Sequence, residues 1–362
     1  MNQILIHFKK LDWFLIFSTI FLVLMGLLSI YSSSRGNFLN FQKQICFFIF
    51  GFFFMILISF LDWRPLKESP YLLLFLYLLS LISLVLVFFF APEIRGVKSW
   101  FKIGPVSIDP TEFTKIILLL VLAKYFSMRH VEMYRIIHIF ISGIYVMIPS
   151  ILIFFQPDLG SVLVLLSLWI GILIISGIRV KHFFLLLFLA IFILAIGWKN
   201  LLKEYQKERL LSFLFPKLSD PLKVGWSQNQ AKIAIGSGGI FGKGLKKGSQ
   251  VQLGFLPEPQ TDFTFSAIAE EMGFLGVSFL FLLFVILVWR IFKISISARS
   301  NFARIFSLGY GFLIVSQIFI HVGSNTGILP IIGIPLPFVS YGGSNLLANF
   351  IGLGIIQSIR VH

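Results

Sequence analysis

The chain has little charge and almost no cysteine. Only 12% of its residues are Asp, Glu, Lys or Arg, against 57% hydrophobic, and the mean hydropathy is +0.94. A soluble fold of 362 residues needs a polar shell that this composition cannot supply. The single cysteine, Cys46, excludes an intramolecular disulfide, and its place inside an apolar run reads as a small buried residue. Hydrolase and zinc patterns are missing: there is no His-Glu-x-x-His, no Cys-x-x-Cys and no Gly-x-Ser-x-Gly. His321 has no second ligand at metal spacing and reads as a satisfied buried histidine. Acidic residues are scarce, 15 against 30 Lys and Arg, so the formal charge is +15. In a soluble protein that excess would suggest nucleic acid. Here the basic residues sit at the ends of apolar runs, and no nucleic acid is expected.

What the chain has instead is long apolar runs, each of the ~17–25 residues that cross a hydrocarbon core. The expected architecture is an all-α integral membrane protein, a single polytopic domain over 1–362. Ten spans are expected, at about 12–31, 44–61, 70–90, 110–127, 136–155, 161–177, 183–198, 263–292, 305–325 and 336–358. The first is long for a signal peptide and lacks a small-x-small cleavage site, so it reads as an uncleaved span. The short loops on one side hold five basic residues, Arg35, Lys43, Arg95, Lys98 and Lys102. The side of the N-terminus holds fourteen, among them Lys9, Lys10, Arg64, Arg129, Arg290 and Arg360. The positive-inside rule then makes both termini cytoplasmic. The connection from Lys199 to Thr261 is a large extracytoplasmic loop between spans seven and eight. Its apolar pieces (Leu210–Phe215, Ile233–Ile235, Leu253–Leu256) suggest that it is ordered.

Several polar constellations stand out. Asp262 lies where that loop runs into span eight, and a carboxylate at a membrane's polar edge is a functional-site hypothesis. Glu112 and Lys115 share one face at the start of span four, either as a structural ion pair or as a wall of an active cavity. The stretch Gly236–Gly248 is not a P-loop. It reads either as a surface turn with solvated lysines or as an anion site using Lys243, Lys246 and Lys247. Glu270 lies roughly 80° around the helix from Asp262 and Glu271 nearly opposite, which points at least one of them to helix packing. An outward-facing carboxylate beside basic residues suits a polyprenyl-diphosphate-linked sugar, whose phosphates stay at headgroup level.

At these residues the sequence resembles the SEDS family, and within it the elongation (RodA-type) branch. The motifs carrying the resemblance are Gly96-Val-Lys-Ser-Trp100, Pro110-Thr-Glu112-Phe-Thr-Lys115 and Gln156-Pro-Asp158-Leu-Gly160. Arg209-Leu, Gln230 and Ala234-Ile-Gly-Ser-Gly-Gly239 match its large loop, and Pro257-Glu-x-x-Thr-Asp262-Phe its central signature. Pro335-Leu-Pro337-Phe-Val-Ser340-Tyr-Gly-Gly343 matches its C-terminal one, and Ala267-Ile-Ala269-Glu-Glu is of the elongation type. Gln260, Trp226 and His321 depart from the family, standing where His, Tyr and Asn are frequent.

The resemblance implies a peptidoglycan glycosyltransferase of cell elongation and rod-shape maintenance, polymerising lipid II at the outer face of the cytoplasmic (inner) membrane. It implies Asp262 as the essential carboxylate. Substrate contacts are expected from Arg209, Glu112, Lys115, Gln230, Lys243 and Ser340. A class B penicillin-binding protein, the elongation machinery and membrane lipid are the expected partners. No cofactor is certain, the metal is unknown, and Mg or Mn at the leaving diphosphate remains an open alternative. A lipid II flippase is the competing reading. No pair of broken helices in matching halves, the usual pointer to alternating access, is evident.

Overall fold

Asp12 closes the N-terminus of the first long helix by accepting from Leu15 N at 3.0 Å, and Ser69, Asp158 and Ser300 cap later helices in the same way. A computed structural model describes residues 2–92, 99–104, 106–129, 136–179, 181–184, 188, 207 and 224–362. In chain order its helices are Asn2–Lys10 (α1), Trp13–Ser33 (α2), Leu39–Phe60 (α3), Arg64–Glu68 (α4) and Pro70–Phe90 (α5). A small antiparallel hairpin follows, Phe101–Ile103 (β1) paired with Val106–Ile108 (β2). Then come Pro110–Arg129 (α6), Ile136–Phe155 (α7), Leu159–Ile175 (α8), Val224–Ser237 (α9), Ser249–Gln252 (α10), Thr264–Ser297 (α11), Asn301–Thr326 (α12) and Gly343–Val361 (α13).

Among the described residues, six helices are long and apolar enough to cross a membrane: α2, α3, α5, α7, α11 and α12. Each span expected outside 183–198 falls on a helix. Span seven lies almost wholly outside the described residues. Two boundaries are corrected. The second span begins at Leu39. The last begins at Gly343, because Pro335 and Pro337 remove two amides just before it, leaving 336–342 without helix.

Small and polar residues join large apolar side chains in the interior, while other large apolar side chains cover the surface that lipid would meet. α2 exposes Phe17, Phe21, Leu24 and Leu28 while burying Ser18, Thr19, Ser29 and Ser32. Gly26 on its inner face lets the chain at Val339 approach; a Cβ there would fall 2.2 Å from the Val339 carbonyl oxygen. α13 packs along α3, α11 along α2, and α12 against α6, α8 and α11. Cys46 is exposed on α3, correcting the expectation of burial. An apolar run shows that a helix can cross lipid, not which of its faces points inward.

α11 is the element that positions the site. Its 34 residues would rise ~51 Å, well beyond a ~30 Å hydrocarbon core. It breaks at Gly273, whose φ of 66° and ψ of −164° are not helical. A break inside a bundle frees backbone groups that need partners. The glycine-rich stretch supplies them. Phe274 N donates to Gly239 O and Leu275 N to Ile240 O, while Lys243 N and Gly244 N donate to the carbonyls of Glu270 and Glu271, all within 3.1 Å. The contact is backbone to backbone, so it needs glycine: a Cβ at Gly273 would lie 2.2 Å from Gly242 N. Gly273→Ala therefore combines a strained φ with that clash. It should cost upward of ~1–3 kcal/mol, seen as a lowered melting temperature of the detergent-solubilised protein. An unchanged melting temperature would remove the break from the account of stability.

Candidate active site at the Asp262 loop

The site is built around the turn that enters α11. Asp262 is half-buried there, two residues before the helix begins. Phe263, at the N-cap position, offers no side-chain cap, so the turn is held from outside. On one side is the segment 336–342. Tyr341 N donates to Gln260 O at 2.7 Å, and Ser340 Oγ donates to Thr261 O at 2.8 Å while lying 3.0 Å from Thr264 Oγ1. On the other side is α12, where Asn325 Nδ2 donates to Asp262 O at 2.9 Å. Asn40 Nδ2 donates to Gln260 Oε1, and Gln44 on α3 bridges Ser340 O and Gly342 N. Beneath the turn a small apolar cluster, Ala231, Ala234, Val251, Leu256, Phe263 and Ala267, seats it on α9. Gly333 faces the carboxylate itself, a Cβ there lying 3.5 Å from Asp262 Oδ2. Gly160, in the Gln-Pro-Asp-Leu-Gly stretch, packs against Ile332 and Ile334 on either side of Gly333.

A second constellation shares the C-terminal segment. β1 and β2 deliver Asp109 to the start of α6, and Asp109 N donates to Ser344 Oγ at 2.8 Å. Lys115 Nζ reaches Glu112 Oε1 at 2.9 Å, and Asn345 Nδ2 donates to Glu112 Oε2 at 2.9 Å. Lys115 is 1% exposed and Glu112 7%, so this pair is buried. Burial pushes the Asp109 carboxyl up to about 7, reinforced by the negative charges of Glu112 and Asp158; the Thr111 amide and Lys115 oppose it. The segment from Ser340 to Asn345 thus joins the Asp262 turn to the Glu112–Lys115 pair.

The other expected site residues divide clearly. Ser340 is buried, with its hydroxyl spent on the Asp262 turn. Lys243 turns to Glu270 Oε1 at 2.9 Å and Ser249 Oγ at 2.8 Å. With its amide and that of Gly244 spent on α11, the glycine-rich stretch is a plug in a broken helix, not a ready anion nest. Gln230 is half-buried on α9, beside Ala231 of the cluster under the turn. Arg209 lies outside the described residues. Glu270 and Glu271 both prove to be anchors. Glu270 accepts from the amides of Gln250 and Val251, and Glu271 from Ser32 Oγ, Lys246 N and Gln252 Nε2. Asn325 was missed by sequence reasoning, since nothing in its spacing marks a contact made across the fold; Tyr341 lies within the C-terminal signature, but its amide's contact with Gln260 O is legible only in the structure. Among the described residues no three His, Cys, Asp or Glu side chains converge as metal ligands.

The family model for FtsW, RodA and SpoVE, described as "Cell cycle protein", matches residues 10–362. The chain belongs to this SEDS family. Among its relatives, the peptidoglycan glycosyltransferase MrdB of Escherichia coli K12 is 35% identical over 95% of this chain and 93% of that protein. Stage V sporulation protein E of Bacillus subtilis 168 is 32% identical over 96% of each. Among solved structures, a chain from work on the coordination of polymerization and crosslinking by a peptidoglycan synthase complex superposes with a TM-score of 0.81. It is 31% identical, and the match covers 97% of each chain. The rod-shape-determining protein RodA of Thermus thermophilus gives a TM-score of 0.72 at 29% identity, over 97% of this chain and 96% of that one.

The buried Glu112–Lys115 pair yields a stability test. Removing one partner leaves a buried unpaired charge, at a cost of ~3–5 kcal/mol. Glu112→Ala also strands the Asn345 amide. Each single variant should melt well below wild type, and Glu112→Ala with Lys115→Ala should recover part of the loss. Singles that melt like wild type would mean that the pair contributes nothing to the fold.

Proposed function

We propose that this SEDS protein is a peptidoglycan glycosyltransferase of the elongation type. In this reading it joins lipid II units into β-1,4 glycan strands at the outer face of the cytoplasmic membrane. The observation that carries the reading is Asp262: a half-buried carboxylate at the outer end of α11, on a turn whose flanking backbone is fixed by Ser340, Tyr341 and Asn325. The family membership and the activity for which the relative MrdB is named support it.

The reaction is an inverting displacement. The acceptor is the 4-hydroxyl of N-acetylglucosamine on one lipid II. The donor is the anomeric carbon of N-acetylmuramic acid, α-linked to undecaprenyl diphosphate. Asp262 takes the hydroxyl proton as the oxygen attacks that carbon. The carbon–oxygen bond to the diphosphate breaks, and undecaprenyl diphosphate leaves with the electron pair. A general base of this kind contributes typically ~10²–10⁴-fold. The amines of Lys115 and Lys243 already face carboxylates. The leaving diphosphate needs a cationic partner; Arg209, which the family resemblance implies, is a candidate alongside the loop lysines, and Arg209→Ala should slow turnover.

The reading extends to ten spans, both termini in the cytoplasm, and a class B penicillin-binding protein as partner within the elongation machinery. The break in α11 does not favour a flippase. Broken helices serve transport when their freed ends face a substrate, and here those ends are bonded to residues 239–244.

Two measurements test the proposal. Purified Asp262→Asn should fold and bind lipid II yet make almost no glycan, where wild type makes polymer in the presence of moenomycin. Wild-type-like polymer from the variant would refute the base. In a Cys46→Ala background, a cysteine at Leu245 should react with an impermeant thiol reagent added outside, and one at Ser297 should not. The opposite pattern would put Asp262 on the wrong side of the membrane for this chemistry.

A further inference from the structure

A helix leaves its first amides without partners, and those of its second and third residues are the ones an N-cap side chain normally accepts. In α11 these are Phe265 and Ser266, and Phe263 accepts from neither. Both are met from α12. Phe265 N points to His321 Nε2 at 3.4 Å, and Ser266 N donates to Asn325 Oδ1 at 3.2 Å. His321 and Asn325 are four residues apart, one turn, so they share a face.

We propose that His321 and Asn325 are positioning residues for Asp262, acting as a tertiary cap on α11. The inference rests on the reading of Asp262 as the reacting carboxylate.

Each side chain also holds a second wall of the site. His321 Nδ1 lies 2.7 Å from Ile334 O. One neutral tautomer meets both demands: Nδ1–H donates to the Ile334 carbonyl and Nε2 accepts from Phe265. The imidazole thereby ties the start of α11 to the residue after Gly333, which faces the Asp262 carboxylate. Asn325 is fully used. Its Oδ1 accepts from Ser266 N and from Ser266 Oγ at 2.7 Å, and its Nδ2 donates to Asp262 O at 2.9 Å and His321 O at 2.8 Å. His321 is 1% exposed and Asn325 is fully buried, so neither is placed to touch a sugar. Their action on the reaction runs through the backbone of residues 262–266 and the segment 333–334. Displacement of a reacting group by ~1 Å can cost ~10²-fold in rate.

The test uses the full-length protein in detergent, polymerising lipid II, with wild type and Asp262→Asn as references. Asn325→Leu keeps the heavy-atom count and branching and removes all four hydrogen bonds; His321→Leu removes both of its own. Each should lower kcat on the order of 10- to 100-fold while KM for lipid II stays within about threefold. His321→Gln, which can still donate and accept, should restore most of the kcat lost in His321→Leu. If Asn325→Leu does not fold, Asn325→Ala serves in its place. A folded Asn325 variant at wild-type kcat, a loss that falls on KM alone, or a His321→Gln no better than His321→Leu would overturn the inference. These outcomes are distinct from failure of the underlying reading, which would show as polymer made by Asp262→Asn.

Discussion

A backbone amide or carbonyl without a partner in a bilayer costs several kcal/mol. The chain meets this constraint twice within a dozen residues of α11. At the Asp262 turn the helix starts without a cap of its own; at Gly273 it stops being a helix. Both defects are repaired by other parts of the fold, and the repairs shape the end of the molecule that carries Asp262. The Asp262 turn draws in the C-terminal segment through Ser340 and Tyr341, and α12 through His321 and Asn325. The break draws in residues 239–244. The Asp262 carboxylate therefore sits on a segment that several distant parts of the chain must agree to place.

Glu270 and Glu271 extend the same logic. Their carbonyls close the break, and their carboxylates fasten the residues just beyond the plug. Glu270, wholly buried, takes two amides and one lysine; buried charge is tolerable when so many donors surround it. Glu271 reaches instead to Ser32 at the end of α2. Lys246, held by Glu271 through its amide, lays its amine over the Tyr31 ring at 3.9 Å. A stretch that reads as a loose glycine-rich loop is thus sewn into α2 and α11.

The sequence was legible where the signal is local. Apolar run length located the helices, and a three-residue spacing located the Glu112–Lys115 pair, found at 2.9 Å. His321 was read as buried and satisfied, and it is. What could not be read is contact made across the fold. Apolar composition does not say which face meets lipid, so Cys46 was placed inside when it lies outside. Glycines mark both flexible turns and close backbone approach, so 236–248 stayed ambiguous until Gly242 was seen against Gly273. The tie from Asn325 to Asp262 joins residues 63 apart and leaves no periodicity to detect.

The opposite end of α11 shows why the Asp262 turn can be held so closely. Arg290 grips the Asp12 carboxylate through Nε, at 3.0 and 2.9 Å, and through its terminal nitrogen. Asp12 also caps α2, and its backbone exchanges two hydrogen bonds with the Gln357 amide on α13. Asp12 is 3% exposed, so this ion pair is shielded from screening. It fixes α2, α11 and α13 together at the end of the bundle remote from Asp262. Farther along α2, Gly26 admits the chain at Val339 that leads into α13. A helix pinned only at its Asp262 turn could pivot about the break at Gly273. Arg290 holding its other half and residues 239–244 filling the break oppose that pivot, which supports the clamps on residues 260–266.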